Sequence, residues 1–317
     1  MISERTERIS GAIESFIEQV NGELATIAAT QESSSEPQQD ISIEVNAPTT
    51  DYPNAPVAAD TPDTPNEKLP VNSETITIDM STSRFSGAVW YKKVQEKTII
   101  LAGLGGIGSY CAFLLSRMKP AQIIMYDPDV VEQVNMSGQF YSQSDIGKTK
   151  AQAMTDMIHS YGNYFGVFSV DERFTESSSP ADIMICGFDN MEARKIFFNK
   201  WKSHVLSKPE EERKHCLFID GRLAAEEFQV LCLRGDDEYN IERYNREWLF
   251  TDGEADVTLC SYKQTTFMAN MIGSVMTNLF VNFCANDLEG EEKPMMERDL
   301  PFLTSYDASM MMFSTEA

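Results

Sequence analysis

The sequence predicts an α/β fold, with a Rossmann-like, mostly parallel sheet and helices on both of its faces. From residue 97 onward, short β-branched and apolar runs alternate with segments that have the 3.6-residue period of amphipathic helices. The first run, 98–102, leads directly into three closely spaced glycines and then into a helical segment. A strand, a glycine turn and a helix in this order are typical of doubly wound nucleotide-binding sheets.

The remaining elements are predicted in order from the same short apolar runs and helical periods. Apolar runs of about four to seven residues are too short for helices and are interpreted as buried strands. We predict strands at 98–102, 122–126, 165–170, 182–186, 216–220, 227–233 and 308–313. We predict a helical lead-in over 81–96, helices at 106–118, 147–160, 190–206 and 264–285, and a charged and aromatic loop at 235–257.

Two segments precede this body. Residues 1–30 carry large apolar side chains at nearly helical spacing between Glu and Arg, which predicts an amphipathic helix. Residues 31–75 are rich in Pro, Ser, Thr, Asp and Glu and have few large apolar side chains. Because such a tract buries too little surface to offset its ordering entropy, we predict a disordered acidic linker. The main folded domain is predicted over residues 76–317.

Charge and composition exclude some function classes. The formal net charge of −23 disfavours binding to nucleic acid or to an anionic membrane, since both reward clusters of Lys and Arg. No apolar run approaches the ~20 residues of a membrane span, and the N-terminus lacks the pattern of a signal peptide. We therefore expect a cytoplasmic protein.

The six cysteines occur singly and form no C-x-x-C pair, and the three histidines are scattered. This pattern is typical of reduced, buried thiols, so we expect neither a disulfide framework nor zinc.

The glycine turn has the spacing G-x-G-x-x-G, with Gly103, Gly105 and Gly108. The glycines permit a tight turn, and the free N–H groups at the start of the following helix attract phosphate. Asp127 follows the second strand, roughly 20 residues later, where a carboxylate can accept hydrogen bonds from ribose hydroxyls. The alternative for Asp127 is a turn residue before Pro128.

Four motifs then occur in a fixed order. They are GLGGIGS at 103–109, DPDVVEQVNMSGQ at 127–139, SDIGKTKA at 144–151 and ADIMICGFDN at 181–190. Together they resemble the ThiF family, which includes MoeB and the adenylation domains of ubiquitin-activating enzymes. That family shows G-x-G-G-x-G, D-x-D-x-V-x-x-x-N-L-x-R-Q, G-x-x-K-A and D-N in this order. The resemblance covers about residues 83–285 and implies a homodimer.

The resemblance implies ATP and Mg²⁺ as cofactors and assigns residues to them. Asp189 would engage Mg²⁺, and Lys150 would contact the α- and β-phosphates as a point charge. The other implied nucleotide-binding residues are Gly103, Gly105, Gly106, Gly108, Asp127, Asn135, Gln139 and Asn190.

Simpler roles are open for several of these residues. Lys148 and Lys150 fit first-turn surface lysines, and Asp189 fits the N-cap of the helix that follows. Arg194, which matches a family arginine, is equally compatible with a structural ion pair. Asn135 and Gln139 are also common turn formers, so their assignment depends on the resemblance.

Two arginines of the family pattern are absent. Gly138 replaces the arginine of N-x-x-R-Q, and Gly87 replaces the second arginine of the R-x-x-R-Q segment before the first strand. Loss of both cations would remove several kcal/mol of transition-state stabilisation unless other cations replace them. The candidate substitutes are Arg84, Lys92, Lys93 and Arg222.

Cys260 resembles the cysteine that takes the modifier as a thioester in some single-domain activating enzymes. A thiol near a helix N-terminus can have a lowered pKa, which suits a nucleophile. The alternative is an ordinary buried cysteine in an apolar stretch.

The expected function is ATP-dependent adenylation of a carboxylate, that of the C-terminal glycine of a ubiquitin-like or sulfur-carrier protein. Tyr239, Tyr244, Trp248 and Phe250 could grip an extended tail or pack their own loop. The alternatives are a non-catalytic nucleotide-binding adaptor, favoured by the missing arginines, and an NAD-dependent oxidoreductase, which would share only the glycine turn and Asp127.

Overall fold

The computed structural model describes residues 79–250, 264–288, 290 and 293–317. The predictions for residues 1–30 and 31–75 and for Cys260 lie outside the described residues. The strands are β1 (Thr98–Ala102), β2 (Gln122–Tyr126), β3 (Val167–Val170), β4 (Ile183–Cys186), β5 (Leu217–Ala224), β6 (Glu227–Arg234), β7 (Leu303–Asp307) and β8 (Met312–Glu316). The helices are α1 (Trp90–Glu96), α2 (Gly106–Met118), α3 (Lys150–Gly162), α4 (Met191–Leu206), α5 (Glu210–Arg213), α6 (Glu238–Glu247) and α7 (Thr266–Asn286).

The eight strands form one sheet in the order β3-β2-β1-β4-β5-β6-β7-β8. Strands β1 to β5 are parallel, and β6, β7 and β8 continue the sheet as antiparallel neighbours. Helices cover both faces, so the predicted α/β class with a mostly parallel sheet is confirmed.

Side chains of β1 alternate between two hydrophobic cores, one on each face of the sheet, because successive residues of a strand point to opposite faces. Ile99 and Leu101 pack with α1, α2, α3 and α7, whereas Ile100 packs with α4 and α6. A strand that is buried on both faces reads as a continuous apolar run, which explains why the sequence predicted β1 within its observed bounds.

Two predicted elements were wrong. The expected strand 308–313 is the turn of a hairpin followed by the first two residues of β8. Residues 308–311 connect β7 to β8, and Met311 has a positive φ of 52°. The expected loop 235–257 contains α6, whose N-cap Asp237 accepts a hydrogen bond from the Asn240 N–H. The apolar content of 308–313 suggested a strand, but β7 is rich in polar residues and β8 is exposed along its whole length.

Helix α7 is long and apolar enough by length and composition to cross a bilayer. Half of its most apolar window is buried inside the protein, where it packs on α2. This packing is that of a core helix.

Candidate functional site

The carboxyl ends of β1 and β4 form a crevice at the centre of the parallel sheet. The chain passes from β1 to β2 on one side and later returns to place β4 on the other side of β1. This reversal of strand order is the position at which open α/β sheets bind their ligands.

The glycine turn leaves β1 at this point and packs directly on the segment that follows β4. Gly103 has a φ of +86°, and a Cβ on it would lie 2.7 Å from the backbone carbon and oxygen of Gly187. A Cβ on Gly108 would lie 1.8 Å from the carbonyl oxygen of Gly103. Glycine is therefore required at both positions, and helix α2 begins with its positive N-terminal end at the crevice.

Asp127 holds the glycine turn. Its carboxylate accepts hydrogen bonds from the Leu104 N–H at 2.6 Å and from the Asp129 N–H at 2.8 Å. Burial raises the pKa of Asp127, and the positive charge of Lys150 opposes that rise. The other backbone group of Leu104, its carbonyl, accepts from the Tyr141 hydroxyl at 2.8 Å. Asp127 is thus more than a turn residue before Pro128, because it fixes the backbone of the glycine turn.

Lys150 is buried at the start of α3. Its Nζ lies 3.0 Å from the Asp129 carboxylate, and only 9% of its side chain is exposed. Lys148, two residues earlier, is half-exposed and pairs with Asp145 and Asp156. The surface interpretation therefore applies to Lys148, whereas Lys150 places a cation beside Asp127.

Asp189 is exposed on the segment after β4, two residues beyond the contact between Gly187 and Gly103. The N-cap of α4 is Asn190, whose side-chain oxygen accepts from the Ala193 N–H at 2.9 Å. The interpretation of Asp189 as the N-cap was therefore wrong, and its carboxylate does not cap the helix. Asn190 has a structural role at this position.

A buried network that the sequence did not reveal supports the segment around Asp189. Asp220, in the middle of β5 beside the end of β4, is fully buried and is paired with Arg194 and with Arg222, whose Nε lies 3.0 Å from its carboxylate. Its carboxylate also accepts from the Tyr244 hydroxyl at 2.9 Å. Arg194 in turn donates to the carbonyl of Phe188. The ion-pair interpretation of Arg194 is correct, and this ion pair fixes the residue before Asp189.

The same network includes Tyr244 and Arg222, for which the sequence suggested roles in binding the substrate tail and the phosphates. Tyr244 packs its own helix against the sheet and is fully buried, so it cannot grip a substrate tail, whereas Tyr239 is 73% exposed. Arg222 donates to the Trp248 carbonyl at 2.7 Å and lies over the Trp248 ring, with 5.4 Å to the centroid. Arg222 is thereby committed to protein partners, while Arg84 is exposed on the lead-in segment.

Asn135 and Gln139 lie on the loop after Asp127. Asn135 accepts from the Glu132 N–H at 2.7 Å within a short 3₁₀ helix, Gln133–Ser137, which is the role of a turn former. Gln139 approaches the glycine turn: a Cβ on Gly105 would lie 3.9 Å from its Nε2. Its Oε1 is buried and has no hydrogen-bond partner. An unpartnered buried polar atom on a residue beside the glycine turn is compatible with a bound polar ligand.

The described cysteines carry no site. Cys111, Cys186, Cys216, Cys232 and Cys284 are free and buried, as predicted. Among the residues with described positions, no group of three or more His, Cys, Asp and Glu side chains could hold a metal ion. A Mg²⁺ ion bound with a nucleotide takes one or two carboxylates plus phosphate oxygens, so the single carboxylate of Asp189 fits that chemistry.

Fold and site together define a doubly wound α/β protein with a glycine turn at the switch point of its sheet. The chain belongs to the ThiF family, whose model matches residues 79–297. The family resemblance that the four motifs suggested is therefore confirmed.

Relatives and solved structures agree with this assignment. Ubiquitin-like modifier-activating enzyme 5 of Drosophila willistoni is 28% identical over 145 residues, which are 40% of this chain and 36% of that protein. The chain thus spans about a third of the length of this relative. The crystal structure of PaaA superimposes with a TM-score of 0.54 at 16% identity, covering 72% of this chain and 65% of that one. E. coli MccB with ATP gives 0.51 at 15% identity, with the same coverage.

Proposed function

We propose that this chain is an ATP-dependent adenylyltransferase that activates a carboxylate, that of the C-terminal glycine of a small ubiquitin-like or sulfur-carrier protein. The observation that carries the proposal is the direct packing of Gly103 on Gly187. It brings the positive end of α2 and the segment with Asp189 to the same crevice, with the buried Lys150 close by. A phosphate-binding turn, an exposed carboxylate and a cation are the parts that adenylation requires.

In this reaction a carboxylate oxygen attacks the α-phosphorus of ATP. The bond between the α-phosphorus and its bridging oxygen breaks, and pyrophosphate leaves with the electron pair to give an acyl adenylate. Lys150 offsets negative charge that builds on the phosphates, and the N–H groups of α2 orient them. Asp127 uses two of its roughly four lone-pair sites for backbone donors, so it retains acceptor sites for ribose hydroxyls.

Mg²⁺ would be held by Asp189 together with phosphate oxygens, and it would neutralise charge on the leaving pyrophosphate. Asp189 suits this role because it is exposed at the crevice and is not the cap of α4.

The partner surface that we propose is a groove of about 420 Å³. It lies along the C-terminal end of β5, the N-terminal end of β6 and the β7–β8 hairpin. Phe228, Tyr306 and Met312 provide apolar walls, and Arg222 lies at the end of the groove that is nearest to Asp220. The names of the relatives support a protein or peptide as the carrier of the carboxylate: MccB has been crystallised with MccA, and the other relative activates a ubiquitin-like modifier. We expect a cytoplasmic homodimer.

The test is ATP–pyrophosphate exchange with candidate carrier proteins that end in Gly-Gly. We expect Asp189→Asn to lower exchange by about 100-fold or more, since metal and charge stabilisation supply several kcal/mol. The matched control is Asp171→Asn, because Asp171 is likewise exposed and directly follows a parallel strand, but β3 is at the edge of the sheet. Equal effects of the two substitutions would contradict the role of Asp189.

A second pair of variants tests the cation. Lys150→Met should abolish exchange, whereas Lys148→Met should leave it nearly unchanged because Lys148 is half-exposed and paired elsewhere. Binding of NADH without exchange would instead support an oxidoreductase.

A non-catalytic adaptor is the second candidate, and one observation favours it. Glycine occupies positions 87 and 138, where family members carry arginines, and Arg222 is engaged with Asp220 and Trp248. Tight ATP binding without exchange, with every carrier tried, would support the adaptor.

A further inference from the structure

A side chain from a distant part of the chain lies against the glycine turn at the start of α2. A Cβ on Gly106, the first residue of α2, would lie 2.0 Å from Oε1 of Gln264, so the carboxamide is in contact with the start of that helix. A Cβ on Gly138 would lie 2.8 Å from Nε2 and 2.9 Å from Cγ of the same side chain. Gln264 therefore occupies the space that two glycines leave open.

The segment that carries Gln264 contacts two other parts of the protein. Gln264 forms a β-bridge with Ala225, and the Thr266 hydroxyl donates to the Ser137 carbonyl. The side chain is thus held between the β5–β6 turn and the loop that ends at Gly138.

The orientation of the carboxamide matters electrostatically. Its oxygen, which carries a partial negative charge, lies at the N-terminal end of α2, where the helix dipole favours anions. Two oxygens of nearby residues are buried without hydrogen-bond partners: Oγ1 of Thr265, the residue after Gln264, and Oε1 of Gln139, whose Nε2 approaches Gly105. Buried polar atoms without a partner in the protein are compatible with a bound polar ligand.

We propose that Gln264 sets the affinity for the nucleotide phosphates, because its carboxamide oxygen takes the place of a phosphate oxygen at the start of α2 and must move before ATP binds. This inference rests on the proposed ATP-binding function. Gly138 is part of the same arrangement, since only glycine at this position leaves room for the Gln264 side chain. A nucleotide that binds only to the displaced state has its apparent affinity lowered by the fraction of molecules in that state.

The experiment compares ATP with adenosine by isothermal titration calorimetry on the full chain. Gln264→Ala should bind ATP roughly three- to tenfold more tightly, the range expected for removal of one competing polar contact. Gln264→Glu should bind ATP about tenfold more weakly, because a carboxylate is held more firmly at the helix N-terminus and repels phosphate. Adenosine has no phosphates, so its affinity should be the same in all three proteins, and it reports a folded site.

Gly138→Ala provides an independent variant. Its φ of −143° lies outside the left-handed region that requires glycine, and the new Cβ would push the Gln264 side chain away. It should therefore tighten ATP binding, and the double variant with Gln264→Ala should gain no more than Gln264→Ala alone. The matched control is Gln122→Ala, an exposed glutamine at the opposite end of β2.

Three results would overturn the proposal. Weaker ATP binding by Gln264→Ala would make Gln264 a phosphate ligand, and equal ATP affinity in all variants would remove it from the phosphate path while leaving the adenylation proposal intact. Failure of the wild type and of every variant to bind ATP would overturn both the role of Gln264 and the proposed function.

Discussion

The packing of Gly103 on Gly187 predicts a specific order of stability among three glycine-to-alanine variants. Gly103→Ala combines a φ of +86° with a Cβ that would lie 2.7 Å from backbone atoms of Gly187, which no side-chain rotation can relieve. Gly147→Ala has a φ of +92° but no atom within 4 Å of the new Cβ, and Gly87→Ala has neither problem.

The magnitudes follow from these two terms. A left-handed conformation costs a residue with a Cβ roughly 1–2 kcal/mol, and overpacking costs about 1–3 kcal/mol. Gly147→Ala should therefore lower the free energy of unfolding by about 1–2 kcal/mol, and Gly103→Ala by about 2–5 kcal/mol. Gly87→Ala should be neutral or slightly stabilising, because alanine restricts the unfolded chain.

Urea unfolding measures all three differences. The difference between Gly103→Ala and Gly147→Ala isolates the contact with Gly187, since both share the backbone strain. If Gly103→Ala is no more destabilising than Gly147→Ala, the glycine turn does not pack on the segment after β4, and the geometric basis for placing Asp189 in the site is lost. If the contact is as described, Gly103→Ala should also weaken ATP binding, whereas Gly147→Ala should not.

Three further predictions concern buried groups. Arg194→Gln leaves the fully buried Asp220 without one of its cations and should lower the free energy of unfolding by about 3–5 kcal/mol. Arg246 is exposed, so Arg246→Gln should change the free energy of unfolding little. Equal urea midpoints of the two variants would contradict the pairing of Arg194 with Asp220. Burial raises the pKa of Asp127, so the native state binds the proton of this carboxyl more tightly than the unfolded state does. The stability of the wild type should therefore fall relative to that of Asp127→Asn as pH rises from about 4 through the native pKa. Parallel urea midpoints of the two proteins from pH 4 to 7 would refute that shift. Burial raises the pKa of four thiols to about 12, those of Cys111, Cys216, Cys232 and Cys284. Iodoacetamide at pH 7.5 should therefore modify these thiols only after unfolding. Mass spectrometry that finds them modified in the native protein would contradict their burial.

The parallel half of the sheet could be predicted from sequence because its signals are local. The apolar run of β1 and the glycines after it each involve residues within one short segment. Parallel strands buried on both faces are continuously apolar, and the bounds of β1 to β4 were found to within two residues. The predicted end of β5 fell four residues short, because its last residues pair only with the antiparallel β6. The β7–β8 hairpin lacked this signal, since β8 is exposed along its whole length.

The sequence by itself determined the family, the fold class and the residue types at the glycine turn, since these depend on order and spacing along the chain. Tertiary structure decided which polar groups meet: that Asp220 anchors Arg194 beside the segment of Asp189, that Lys150 is buried whereas Lys148 is not, and that Gln264 reaches Gly106. The physical reason is that these contacts join segments that are distant in sequence. Their strength depends on burial and on the geometry of packed elements, and neither leaves a periodic pattern in the chain.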